Sequence, residues 1–131
     1  DYGIDVFNGE KTFFLPDNEN FVSGSIYQTN QLKTKGIQVQ MRNLETICNE
    51  LCHSKIDVLK MDIEGSEYEI IPYLLNMNLP IEQLLIEFHH RFFEDGFAKT
   101  KKVLGMLKKC GYKIFGVSDS MQEISFIKNN K

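Results

Sequence analysis

Ile56-Asp57-Val58-Leu59-Lys60-Met61-Asp62-Ile63-Glu64-Gly65-Ser66-Glu67 is the stretch that decides the reading of this chain. Its first half is short, apolar and rich in branched residues, and it runs into polar residues and a glycine, which predicts a buried strand. Its second half opens a helix. Ser66 followed by Glu69 has the spacing of a capping box, in which hydroxyl and carboxylate each accept a backbone N–H. Pro72 falls inside that helix, where it lacks a donor and clashes with the preceding turn, so the helix is expected to be irregular or to restart there.

Working outward, the period of the apolar residues changes from segment to segment. Gly36 releases Ile37, Val39 and Met41 on one face and Gln38, Gln40 and Arg42 on the other, a half-covered strand. Asn43 then caps a helix whose apolar positions Leu44, Ile47, Cys48 and Leu51 recur at three and four residues, before Ser54 and Lys55 break it. Nearer the N-terminus, Ile4, Val6, Phe13 and Leu15 flank Phe7-Asn8-Gly9-Glu10, where Asn-Gly predicts a tight hairpin. Residues 16 to 35 gather Pro16, Asp17, Asn18, Asn20, Ser23, Gly24 and Ser25 and read as a long surface loop. Beyond the central stretch, residues 83 to 88 predict a second buried strand. Residues 97 to 110 predict an amphipathic helix with Phe97, Val103, Leu104, Leu107 and Cys110 inside, a solvated lysine-rich face, and Gly111 as its C-terminal cap. Residues 112 to 117 and 123 to 127 predict a closing antiparallel pair. This order implies one open α/β sheet, covered on both faces and parallel except at its end, in a single domain over 1–131: hairpin and loop over 1–36, alternating strands and helices over 37–131.

The 131 residues suffice for one core. With 15 Lys plus Arg against 18 Asp plus Glu, the net charge of −3 offers no diffuse basic field, which disfavours a general nucleic-acid binder. Ten Phe and five Tyr are too many for a disordered tail. No apolar run reaches the roughly 20 residues of a membrane helix, so a soluble chain is expected. Three sparse cysteines, Cys48, Cys52 and Cys110, do not look like a secreted disulfide framework and fit a reducing, cytoplasmic compartment. The chain opens on Asp1 and Tyr2 rather than Met, close to strand-like sequence, as a fragment would.

Ligands of α/β sheets bind beyond the carboxyl ends of the strands, and two such ends carry chemistry. Asp62, Glu64 and Glu67 put three carboxylates within six residues, costly to bring together without a cation or ligand. Glu87, His89, His90 and Arg91 end the next strand. If the strands are neighbours, Asp62, Glu64, Glu87 and His89 share one rim, able to orient a hydroxyl and take its proton, or to hold a divalent metal. Against this stand plainer roles: helix-terminal charges for Glu64 and Glu67, and an ion pair with Lys60 or Arg91 for Glu87. Of the adjacent histidines, His89 is expected to face the site, since it shares a strand face with Glu87. Cys48, Cys52 and His53 lack a ligand set and read as core and surface positions. No G-x-G-x-x-G, G-x-x-x-x-G-K or G-x-S-x-G occurs, so no nucleotide cradle or serine elbow is legible.

IDVLKMDIEGSEYEII, preceded by VQMRNLETI and followed by QLLIEFHHRF, KKVLGMLKKCGYKIF and EISFI, resembles the C-terminal half of the FkbM family of SAM-dependent methyltransferases, over about residues 37 to 127. The resemblance implies a Rossmann-like class I methyltransferase sheet of order 3-2-1-4-5-7-6, mostly parallel with an antiparallel last strand. It also implies methyl transfer from S-adenosyl-L-methionine (SAM) to an oxygen of a small molecule or sugar. It places Asp62, Glu64 and Glu67 on the motif carboxylates and Glu87 and His89 at the end of the fifth strand, with Asp62, Glu87 and His89 as catalytic candidates and Glu64 and Glu67 as site architecture. The family's glycine-rich SAM loop and ribose-binding acid lie upstream of Asp1, so the domain is expected to be N-terminally truncated, its cofactor-binding residues unassigned, and two sheet edges bare. A divalent metal is optional in this reading and no metal ligand is assigned. The rivals are a non-catalytic half-domain pairing with another chain through those edges, and a metal-dependent hydrolase built on the same rim.

Overall fold

A computed structural model describes residues 1–16, 24–27 and 35–129. It is a mixed α/β structure of two sheets and three helices. The elements are β1 (Gly3–Ile4), β2 (Gly9–Leu15), β3 (Lys35–Arg42), α1 (Leu44–Glu50), β4 (Ile56–Met61), α2 (Glu67–Asn76), β5 (Ile81–Glu87), α3 (Gly96–Lys109), β6 (Tyr112–Val117) and β7 (Glu123–Lys128), with one 3-10 turn at His90–Phe92.

The three-stranded sheet has the order β1-β3-β2, with β1 parallel and β2 antiparallel to β3. The predicted hairpin at Asn8-Gly9 is therefore absent, because β3 lies between the two strands that would have paired. Asn8 serves a different end: its Nδ2 donates to Thr46 Oγ1 at 2.9 Å and its Oδ1 accepts from Asn43 N at 2.9 Å. Gly9, at φ 158°, is extended and not in a left-handed turn. Asn43 caps α1 as expected, accepting from Thr46 N at 2.8 Å. Leu44, Ile47 and Cys48 are buried, but Leu51 lies past the helix and is exposed. Most of the expected loop over 16–35 lies outside the described residues; within it, Ser25 forms an antiparallel bridge with Phe14 and is buried.

The four-stranded sheet has the order β4-β5-β7-β6. Only β4 and β5 are parallel; β5–β7 and β7–β6 are antiparallel, so this sheet is less parallel than expected. Its inner face aligns Met61, Ile86 and Ile124 in one row and Leu59, Leu84 and Phe126 in the next. That face packs with Ile70, Ile71 and Leu74 of α2 and Val103 and Leu107 of α3, and α1 joins the same core through Leu44 and Cys48. The other face, with Val58, Leu85 and Ile127, bears no helix among the described residues, contrary to the expectation of cover on both sides. Hence β4 is not the doubly buried strand predicted: Val58 is 50% exposed. β4 also ends the sheet, with one edge unpaired among the described residues, whereas β3, with β4 one of the two strands whose edges the truncated sheet would leave bare, is paired on both sides.

Two helix details also differ. The capping box does not form: Ser66 makes no side-chain cap bond, and Glu69 instead accepts from Tyr27 Oη at 2.8 Å. α2 runs unbroken through Pro72. The proline removes the one interior bond that Tyr68 O would accept, and the remaining turns of α2 carry the helix through it. α3 ends as expected with Gly111 at φ 84° donating to Lys108 O at 3.0 Å. Phe97, however, is 74% exposed, because it lies at the first turn, where it stacks on His90 with centroids 4.4 Å apart. No helix among the described residues is long and apolar enough to cross a membrane.

Candidate active site

Parallel pairing of β4 with β5 places Met61 beside Ile86, so the residues that follow both strands leave the sheet together. From β4, Asp62 begins a turn in which Glu64 (φ 51°) and Gly65 (φ 105°) both adopt left-handed backbone. Gly65 suits this, since a Cβ there would also lie 3.1 Å from Tyr27 Cδ2 and 3.3 Å from Phe92 Cδ2. Glu64 is held in its unfavoured conformation by Ser25 Oγ, which donates to Glu64 O at 2.7 Å.

The turn delivers Glu67 into the interior, where it is 0% exposed. Its Oε1 accepts from Ile63 N at 3.2 Å and Gly65 N at 3.3 Å, and lies 2.8 Å from His89 Nδ1. Its Oε2 has no hydrogen-bond partner among the described residues. Glu67 is thus buried architecture tying β4, α2 and β5 together, and not a simple helix-terminal charge.

His89, 1% exposed, is the centre of the site. With Nδ1 engaged by Glu67 and Phe92 stacked at 5.2 Å, its Nε2 lies 3.2 Å from Glu64 Oε2, 3.8 Å from Asp62 Oδ1 and 3.8 Å from Glu87 Oε1. Burial alone would lower the imidazole pKa; the hydrogen bond and charge of Glu67 and the charge of Glu64 outweigh it, with Arg91 opposing, and leave it raised. His90 turns away toward Phe97. The expected alternatives for Glu87 do not form: Lys60 approaches Asp62 at 3.8 Å, and Arg91 donates to Gln122 at 3.1 Å. Asp62, Glu87 and His89 bring one ligand atom each within 4.8 Å of one another.

Beside this rim, Asp62, Ile63, Glu64 and Ser66 form one wall of a cleft of about 460 Å³, whose other wall is the first sheet with Ile37, Val39 and Met41. Every candidate residue read from the sequence therefore lies at one place. What sequence reasoning missed is the contribution of residues 24–27: Ser25 holds the Glu64 turn, and Tyr27 reaches Glu69, with burial and then that carboxylate raising the Tyr27 pKa. A loop rich in small polar residues carries no periodic signal to announce such contacts.

Over 91 residues the chain is 33% identical to a probable methyltransferase-like protein 24 of Homo sapiens, an alignment covering 64% of this chain and 25% of that protein. It thus spans about a quarter of the relative's length. No solved structure matches. The Methyltransferase FkbM domain matches residues 4–114, which include β3, β4, β5 and every residue of the rim, and the chain belongs to that family of methyltransferases.

Proposed function

We propose that this chain is the acceptor side of a SAM-dependent methyltransferase whose fold completes a Rossmann-like sheet, and that the methyl group goes to a hydroxyl of a small molecule or sugar. The observation that carries this is the buried His89, fixed by Glu67 on one nitrogen and facing Glu64, Asp62 and Glu87 with the other, beside the cleft. SAM supplies the methyl group in this family. The described residues do not form its cradle: the nine glycines contain no G-x-G-x-x-G, and the cleft wall facing the acidic turn is apolar apart from Asp1 and Tyr2. The donor is therefore assigned to residues outside this chain, consistent with the quarter of the relative that the chain spans.

On the acceptor side the roles follow from the geometry. Asp62 and Glu87, partly exposed, accept hydrogen bonds from the substrate's hydroxyls and set its orientation. His89 Nε2 takes the proton of the reacting hydroxyl, and Glu67 at 2.8 Å stabilises the imidazolium that results. Glu64 and Gly65 hold the turn in place.

The test is to express the longest reading frame containing these residues and supply methyl-labelled SAM with a panel of sugars and hydroxylated small molecules. Label should appear in a methyl ether of the acceptor, and His89→Gln should lower the rate by roughly 10²–10⁴-fold. Absence of transfer to every acceptor, or transfer indifferent to His89→Gln, refutes the assignment.

A further inference from the structure

We propose that Asp62, Glu87 and His89 form a binding site for a divalent first-row cation of the Mn2+ type at the carboxyl ends of β4 and β5. Their three ligand atoms lie within 4.8 Å of one another, with both carboxylates 3.8 Å from Nε2. A cation bonded at about 2.1 Å asks for donors about 3.0 Å apart when adjacent and about 4.2 Å when opposite. The Asp62 and Glu87 side chains, 40% and 27% exposed, have room to close the difference by rotating.

Two observations beyond the proximity of acids point to a ligand. The first is His89 itself: 1% exposed, it directs Nε2 at Glu64, 3.2 Å away, and at Asp62 and Glu87, both 3.8 Å away, and no hydrogen bond to Nε2 forms among the described residues. Its other nitrogen is anchored by a buried carboxylate, the arrangement that orients a metal-bound imidazole. The second is charge. Asp62, Glu64, Glu67 and Glu87 surround one imidazole, and Lys60, 3.8 Å from Asp62, is mostly solvated. Even a fully charged imidazolium leaves this group strongly negative, and a divalent ion would offset that excess. One imidazole and two carboxylates are borderline-hard donors, suited to Mn2+ more than to Ca2+. Coordination positions left open on the solvent side would take water or an acceptor hydroxyl and lower its pKa, replacing the proton acceptance that His89 Nε2 offers in the metal-free site; only this last step rests on the methyl-transfer reading.

The experiment titrates Mn2+ alone into the chain, by calorimetry and by loss of the free-ion electron paramagnetic resonance signal. One ion per chain should bind, and Asp62→Asn and Glu87→Gln should each weaken it at least about tenfold. Glu69→Gln, a carboxylate engaged by Tyr27, should leave the affinity unchanged. Lack of saturable binding, or binding indifferent to both Asp62→Asn and Glu87→Gln, overturns the site. Circular dichroism of each variant separates loss of ligand from loss of fold. Because no methyl donor is present, failure here and failure of methyl transfer are read independently.

Discussion

At the scale of single residues, the site is held by buried polar groups whose partners are few. Glu67 accepts two backbone N–H groups and fixes His89 without touching solvent. Glu67→Ala leaves a buried imidazole and two amides unpaired, and should destabilise the chain by about 3–5 kcal/mol, measured by urea unfolding. Glu67→Gln keeps an acceptor in place and should cost less. Gly65→Ala should cost about 1–3 kcal/mol, since φ 105° is unfavourable for an L side chain and three aromatic rings crowd the added carbon. The motif carboxylates were legible as a group in the sequence. That Glu67 would be the buried member and Asp62 an exposed one was not, because three nearby acids look alike until the turn's backbone angles are fixed.

At the scale of elements, α3 contrasts two apolar residues that its periodicity treats as equivalent. Leu107 is fully buried and Leu107→Ala should cost about 2–5 kcal/mol. Phe97, exposed in the first turn, should tolerate alanine within about 0.5 kcal/mol. The β6–β7 connection carries a pH-sensitive contact. Ser118 Oγ and Ser120 Oγ donate to Glu123 Oε2, and these bonds lower the Glu123 pKa below the ordinary carboxylate value. A carboxylate lowered on folding contributes stability above its unfolded pKa and loses it as pH falls through the folded one. The protection factors of the amides in residues 118–123, corrected for the intrinsic pH dependence of exchange, should therefore fall on acidification below the usual carboxylate range. Glu123→Gln should abolish that pH dependence.

At the scale of the molecule, the two sheets share work unequally. The four-stranded sheet and its helices hold the core and the rim, while the first sheet supplies the opposite wall of the cleft. The outer face of the larger sheet leaves Val58 on β4 and Ile127 on β7 at 50% and 42% exposed, and among the described residues no strand pairs with the outer edge of β4. A bare edge beside apolar side chains is a template for another strand. The isolated chain should sediment with concentration-dependent association, and Val58→Lys should shift it toward monomer. Unchanged sedimentation in the variant would show that this edge is not where copies meet.

The sequence by itself determined the strand-turn-helix at residues 56–76, the cap at Asn43, the C-terminal glycine of α3 and the closing antiparallel pair. Each of these is set by local spacing or by backbone preferences within a few residues. Tertiary structure alone decided that β3 enters between β1 and β2, that α2 passes through Pro72, that β4 keeps an open face, and that Ser25 and Tyr27 brace the acidic turn. These depend on which partner satisfies a backbone edge or a polar group from far along the chain. Asn8 states the difference: its Asn-Gly pair favours a hairpin locally, but its side chain is satisfied instead at the start of a helix 35 residues away.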